Sequence, residues 1–123
     1  LKIKIKGAKS INDAKKIGKS IANSPLFKTA MSGSDSNWGR IIMAVGKSGA
    51  KLDPEKLTLK FGKFIILQKG KKLNLTYINL INKYLKKSEI EIIVDLNIGL
   101  YEWSTWTCDF TKEYVSINTD YRS

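Results

Sequence analysis

An α+β fold of two layers, a mixed β-sheet with helices packed mainly on one face, is what the order of elements in this sequence predicts. Three observations point to it. Segments with a period of two open the chain and recur late in it. Segments with helical periodicity lie between them, and short Gly-centred turns join neighbouring strands in hairpins. Strands and helices do not alternate strictly, which argues against a wholly parallel sheet. The 123 residues, 42% of them hydrophobic, suit a single domain over residues 1–123. There is no internal repeat and no linker long enough to divide the chain.

Residues 1–6 alternate, with Leu1, Ile3 and Ile5 on one side and Lys2, Lys4 and Lys6 on the other. That is a strand with one wet face, and Gly7 is expected to end it. Ser10 with Asp13 three positions later marks a helix start, because the Ser hydroxyl accepts from a free backbone N–H of the first turn. Ala14, Ile17, Gly18 and Ile21 recur at helical spacing, so this helix runs to about Asn23. Pro25 suits the first turn of a short second helix through Lys28 and Ala30, and Ser32 to Ser36 form a loop. A third helix is expected from about Asn37, with Trp38, Ile41, Ile42 and Val45 as its apolar stripe. Gly39 and Gly46 each cost roughly 1 kcal/mol against Ala in such a helix, and are read as places where another backbone comes close. Gly49 is the stop.

Leu57 to Phe61 and Phe64 to Leu67 predict a hairpin around Gly62 and Lys63, with a further turn at Lys69-Gly70-Lys71. Asn74 or Thr76 caps a helix carrying Tyr77, Ile81, Tyr84 and Leu85, with Lys86 and Lys87 favourable at its C-terminal end. Glu89 to Leu96 is a strand with Ile90, Ile92, Val94 and Leu96 on one face. Tyr101 to about Cys108 is a further extended stretch, and Asp109 or Thr111 caps a last short helix with Tyr114, Val115 and Asn118.

Lys and Arg number 22 against 11 Asp and Glu, a net charge of +11. Such a balance raises the prior for an anionic partner. The lysines are spread along the chain without a recognised binding motif, so a general solubilising role is preferred. The alternative is a basic nucleic-acid-binding module with Phe61, Phe64, Tyr77 and Tyr84 as stacking surfaces. No apolar run approaches the roughly 20 residues of a bilayer span, so no membrane partner is expected. The one cysteine, Cys108, makes an intrachain disulfide impossible; the cytoplasm is the expected compartment and a buried thiol the expected role. The absence of histidine excludes Ser-His-Asp and Cys-His nucleophile pairs and every His-containing zinc site. No cofactor or metal is implied.

Two stretches carry a family likeness. Asn23 to Gly49 reads NSPLFKTAMSGSDSNWGRIIMAVGKSG, and Trp106 to Ser123 reads WTCDFTKEYVSINTDYRS. The first resembles the segment of ornithine acetyltransferases that runs Ser-Pro-Leu-Val-Lys-Thr-Ala, a loop, Asp-x-Asn-Trp-Gly-Arg and Ala-Val-Gly. The second is similar to the C-terminal signature of that family. Leu1 to Ala8 is similar to the strand after its Gly-Glu-Gly-Ala-Thr-Lys motif. Blocks of this length in the right order cover essentially the whole chain. The resemblance implies an Ntn-like enzyme that cleaves itself before a Thr, which then accepts an acetyl group from N2-acetylornithine and passes it to glutamate. It implies an assembly of two α and two β chains, of which this chain is the C-terminal part of β. Leu1 carries no hydroxyl, and the motif Glu would lie just before residue 1. The chain is therefore expected to be a piece whose nucleophile-bearing part and α chain lie elsewhere, inactive alone. A stand-alone, non-catalytic binding domain is the third reading.

The resemblance assigns substrate binding to Asn118 and Ser123. An amide and a hydroxyl each offer a donor and an acceptor to an amino-acid substrate; without the resemblance, Asn118 is a helix cap and Ser123 a frayed end. For Asp35, Asn37, Trp38, Gly39 and Arg40 a capped helix start is preferred over an Arg40–carboxylate contact, and Lys28 and Thr29 are read as solvent-facing and capping. Trp103 and Trp106 are expected to pack in a core or interface rather than stack on a ligand. Leu96 to Trp103 departs from the small-residue loop of the family and is expected to alter the packing of whatever segment meets it.

Overall fold

The computed structural model describes residues 2–24, 39–72, 78–84 and 89–106, and the backbone alone at 40, 72, 78, 79 and 82. Among the described residues six strands form one sheet: β1 (Lys2–Ala8), β2 (Thr58–Phe61), β3 (Phe64–Gln68), β4 (Lys71–Lys72), β5 (Glu91–Asp95) and β6 (Tyr101–Trp106), in the order β4-β3-β2-β5-β1-β6. β1 and β5 are parallel; the other pairings are antiparallel. The helices are α1 (Ile11–Ala22), α2 (Gly39–Lys47) and α3 (Ile78–Tyr84), with a 3-10 turn at Pro54–Lys56. The expected α+β layering with a mixed sheet is what the chain adopts.

Each β1 residue on the Ile side is fully buried, as are Ile92, Val94, Leu59 and Phe61 beside them in register. Period-2 alternation thus makes one apolar face across three strands, and full burial of each such side chain stabilises the fold by roughly 2 kcal/mol. α1 lies on this face. Its N-cap is Ser10, whose Oγ accepts from the Asp13 N–H at 3.0 Å, as the sequence pattern requires. Ala14, Ile17, Gly18 and Ile21 are its buried residues. The Ser20 hydroxyl donates to the Ala44 carbonyl at 2.6 Å and ties α1 to α2, which buries Ile41, Ala44 and Val45 in the same core. Ile81 of α3 joins it. Tyr84 Oη accepts from the Glu91 N–H at 2.9 Å and its ring meets Phe64 edge-on.

Three expectations need correction. β1 does not end at Gly7: it continues to Ala8 through an irregular register between Ile5 and Ala8, which Gly7 permits at φ +66°. No described residue approaches Gly46, so among the described residues close packing is not the reason for that glycine; a helical glycine that does pack tightly is Gly18, where a Cβ would run into the indole of Trp103. Of the two tryptophans of the last strand, Trp103 packs over α1, whereas Trp106 is 69% exposed on this chain, with Lys2 Nζ 5.7 Å from its ring centroid. Finally, the dispersed lysines are partly gathered by the fold. Lys2, Lys4, Lys6 and Lys60 share the sheet face opposite the buried one, alternating with the buried residues of their strands. The helix expected from Pro25, the loop from Ser32, and the positions Trp38, Tyr77, Leu85 and Cys108 lie outside the described residues.

Candidate functional site

β1 and β6 are antiparallel, so the start of β1 and the end of β6 lie side by side, with Lys2 the register partner of Trp106. Whatever precedes residue 1 and whatever follows residue 106 therefore leave the sheet from one place. α1 runs back over β1 and β6 after the turn at Lys9 and Ser10, with Gly18 above Trp103 and Ile5 in mid-strand. Its C-terminal end, Ala22 to Ser24, returns toward the same end of the sheet. The three segments that the sequence singles out thus join the described framework at one end: the residues before β1, the block that begins at Asn23, and the signature that begins at Trp106.

That end is fixed by a chain of contacts across three strands. The Lys2 N–H donates to the Ile90 carbonyl at 2.7 Å. The Lys2 ammonium lies 3.5 Å from the Glu91 carboxylate and over the Trp106 ring. Both charged groups are about a third exposed, so the pair is worth little in stability; its geometric effect is to line up β5, β1 and β6 where the candidate segments attach. The cation–π contact adds an attraction of the order of 0.5–1 kcal/mol at such a site.

Asn118 and Ser123 lie outside the described residues, as do Lys28, Thr29, Asp35, Asn37, Trp38 and Asp109; of Arg40 only the backbone is described, in the first turn of α2. The described framework brings together the places where these segments attach. Sequence reasoning missed the Lys2–Glu91–Trp106 row, because nothing local to any one strand signals a cross-strand contact. The rings proposed to stack on nucleic acid are otherwise engaged: Phe61 is fully buried, and Phe64 and Tyr84 pack on each other. Of the large residues in the 96–103 segment, Trp103 packs over Gly18 of α1.

Among the described residues no helix is long and apolar enough to cross a membrane. The model of the ArgJ family matches residues 1–123. The chain is 47% identical over 123 residues to the arginine biosynthesis bifunctional protein ArgJ of Brucella melitensis biotype 1, and 46% identical over the same length to that of Mesorhizobium japonicum. All of this chain is covered in both cases, and it spans 30% of the length of each of these relatives. The crystal structure of the arginine biosynthesis bifunctional protein ArgJ from Bacillus halodurans superposes with a TM-score of 0.86 at 35% identity, over 98% of this chain and 56% of that one.

Proposed function

Since this chain belongs to the ArgJ family, we propose that it is the C-terminal part of an acetyltransferase of arginine biosynthesis, which moves an acetyl group from N2-acetylornithine to glutamate. The observation that carries this reading is similarity over the whole of the chain at nearly half identity, on a matching fold. That the points where these segments join the described framework lie at one end of the sheet supports it further, because acyl transfer requires groups from distant chain positions to meet around one substrate.

In this reading the nucleophile is a Thr outside these 123 residues. Acetyl moves from the donor to its hydroxyl as ornithine leaves, and glutamate then takes the acetyl group. Asn118 and Ser123 bind the amino-acid parts of the substrates. The work of the described framework is to hold β1, β6 and the end of α1 in a fixed relation, so that the segments they carry present these groups together. The partners are the remainder of the β chain and an α chain, in an α2β2 assembly, and the compartment is the cytoplasm, in keeping with the lone cysteine.

The test is Asn118→Ala in the complete enzyme. A lost substrate contact of this kind lowers kcat/KM by about 10-fold or more, roughly the worth of one hydrogen bond to a charged group. Kinetics equal to the parent enzyme for both substrates would overturn the assignment of Asn118. The 123-residue chain alone should show no acetyl transfer.

A further inference from the structure

We infer that the depression between the 3-10 turn and the loops after β1 and β5 is a binding site for a phosphate group, separate from the acetyl-transfer end of the sheet. It has a volume of about 410 Å³ and is lined by Lys9, Lys51, Leu52, Asp53, Lys56 and Ile98. These residues come from four places in the chain: after β1, after α2, in the 3-10 turn and after β5. Three exposed lysines and one aspartate are among the residues that line it. The carboxylate is already used, because Asp53 Oδ1 accepts the Glu55 N–H at 3.0 Å as the cap of the turn. The charge left over is that of two cations, which a phosphate dianion balances, and Lys suits phosphate as a mobile point charge on a flexible stem. Leu52 and Ile98, both half-buried, add an apolar floor that fits the organic part of a phosphate monoester.

The walls are held in place before any ligand arrives. Asn97 adopts φ 56°, a left-handed conformation that Asn tolerates better than most residues. Its Nδ2 donates to the Lys56 carbonyl at 2.7 Å and to Thr58 Oγ1 at 3.3 Å, fixing the 3-10 turn to the β5 loop. The Ile98 N–H donates to the Gly7 carbonyl at 3.0 Å, and Gly99 lies so close to the Ala8 carbonyl that a side chain there would collide with it. Fixed walls lower the ordering cost of binding. The place is also telling: it lies beyond the C-terminal ends of the parallel strands β1 and β5, where sheets with parallel strands gather ligands. It is at the opposite end of β1 from Lys2 and Trp106, so this inference does not depend on the acetyl-transfer reading.

The complete, isotopically labelled protein that contains this chain is titrated with inorganic phosphate and, separately, with phenyl phosphate at constant ionic strength, read by backbone amide NMR. Saturable shifts confined to residues 51–56 and 97–99 are expected, with phenyl phosphate the tighter ligand because of the apolar floor. Equal affinities would keep the phosphate site and assign it to the free ion. Removing Lys9, Lys51 and Lys56 together by Ala should weaken binding about 10-fold or more, while Lys2→Ala, Lys4→Ala and Lys60→Ala together should change it by less than about twofold, since Coulomb attraction falls with distance and is screened by salt. All of these side chains reach the surface, so the variants keep the fold. Shifts that rise without saturating, or equal losses in the two triple variants, would reduce the site to diffuse attraction for a basic protein and overturn the inference.

Discussion

The two faces of the sheet obey opposite rules although they are read from the same strands. On the helix side, Ile3, Ile5, Leu59, Phe61, Ile92 and Val94 are fully buried and form part of one core cluster across three strands. On the other side the same strands present Lys2, Lys4, Lys6, Lys60, Glu91, Ile93 and Asp95, all of intermediate exposure. The first face gains its stability from excluded water and close packing. The second gains little from its charges and lets long lysine stems lie over the sheet with their ends in water. Sensitivity to substitution should therefore be lopsided, and the size of that asymmetry is measurable.

The largest loss is expected from Phe61→Ala, which empties a fully buried site and should lower the unfolding free energy in urea by about 4 kcal/mol. A loss under about 1 kcal/mol would break the contrast. Gly99→Ala follows: the new methyl meets the Ala8 carbonyl, and overpacking against backbone costs about 3 kcal/mol. Gly18→Ala is third, at about 2 kcal/mol, because the added carbon meets the Trp103 ring. Combining it with Trp103→Leu should recover part of that loss in a double-mutant cycle; strictly additive losses would show that the indole is not the obstacle. Ser10→Ala removes the α1 cap and should cost about 1 kcal/mol. On the opposite face, Lys4→Ala should stay within about 0.5 kcal/mol. A larger change would mean that this face carries more than its charge pattern implies.

Most of the framework was legible because its signals are local and agree with one another. Alternation at Leu1–Lys6 and Ile90–Leu96, the Ser10 cap and the glycines at 49, 62 and 70 each fix a small piece of backbone. What escaped notice depends on distant partners. Nothing near Gly18 announces that residue 103 will cover it, and nothing in β1 reveals that Lys2 meets Glu91 and Trp106 from two other strands. Gly46 shows the converse: a helical glycine resembles a packing site until its surroundings prove open. The candidate site was legible by a different route. Asn118 and Ser123 rest on long motifs resembling one family, since an Asn and a terminal Ser carry no physical signal of their own.

The pairing of β1 with both β5 and β6 sets the timing of assembly during synthesis. β1 is made first, yet its parallel neighbour ends at Asp95 and its antiparallel neighbour at Trp106. Until the ribosome has passed these positions, Ile3 and Ile5 have no strand on either side, and the apolar stripe of α1 has no finished sheet to cover. Closing so long a loop places this fold among the slower ones, on the order of milliseconds to seconds. The hairpin of β2 and β3, joined by a two-residue turn, can form within microseconds of its synthesis. The growing chain thus carries a preformed hairpin behind an orphan strand β1, and protection of β1 amides should be the last of these to appear.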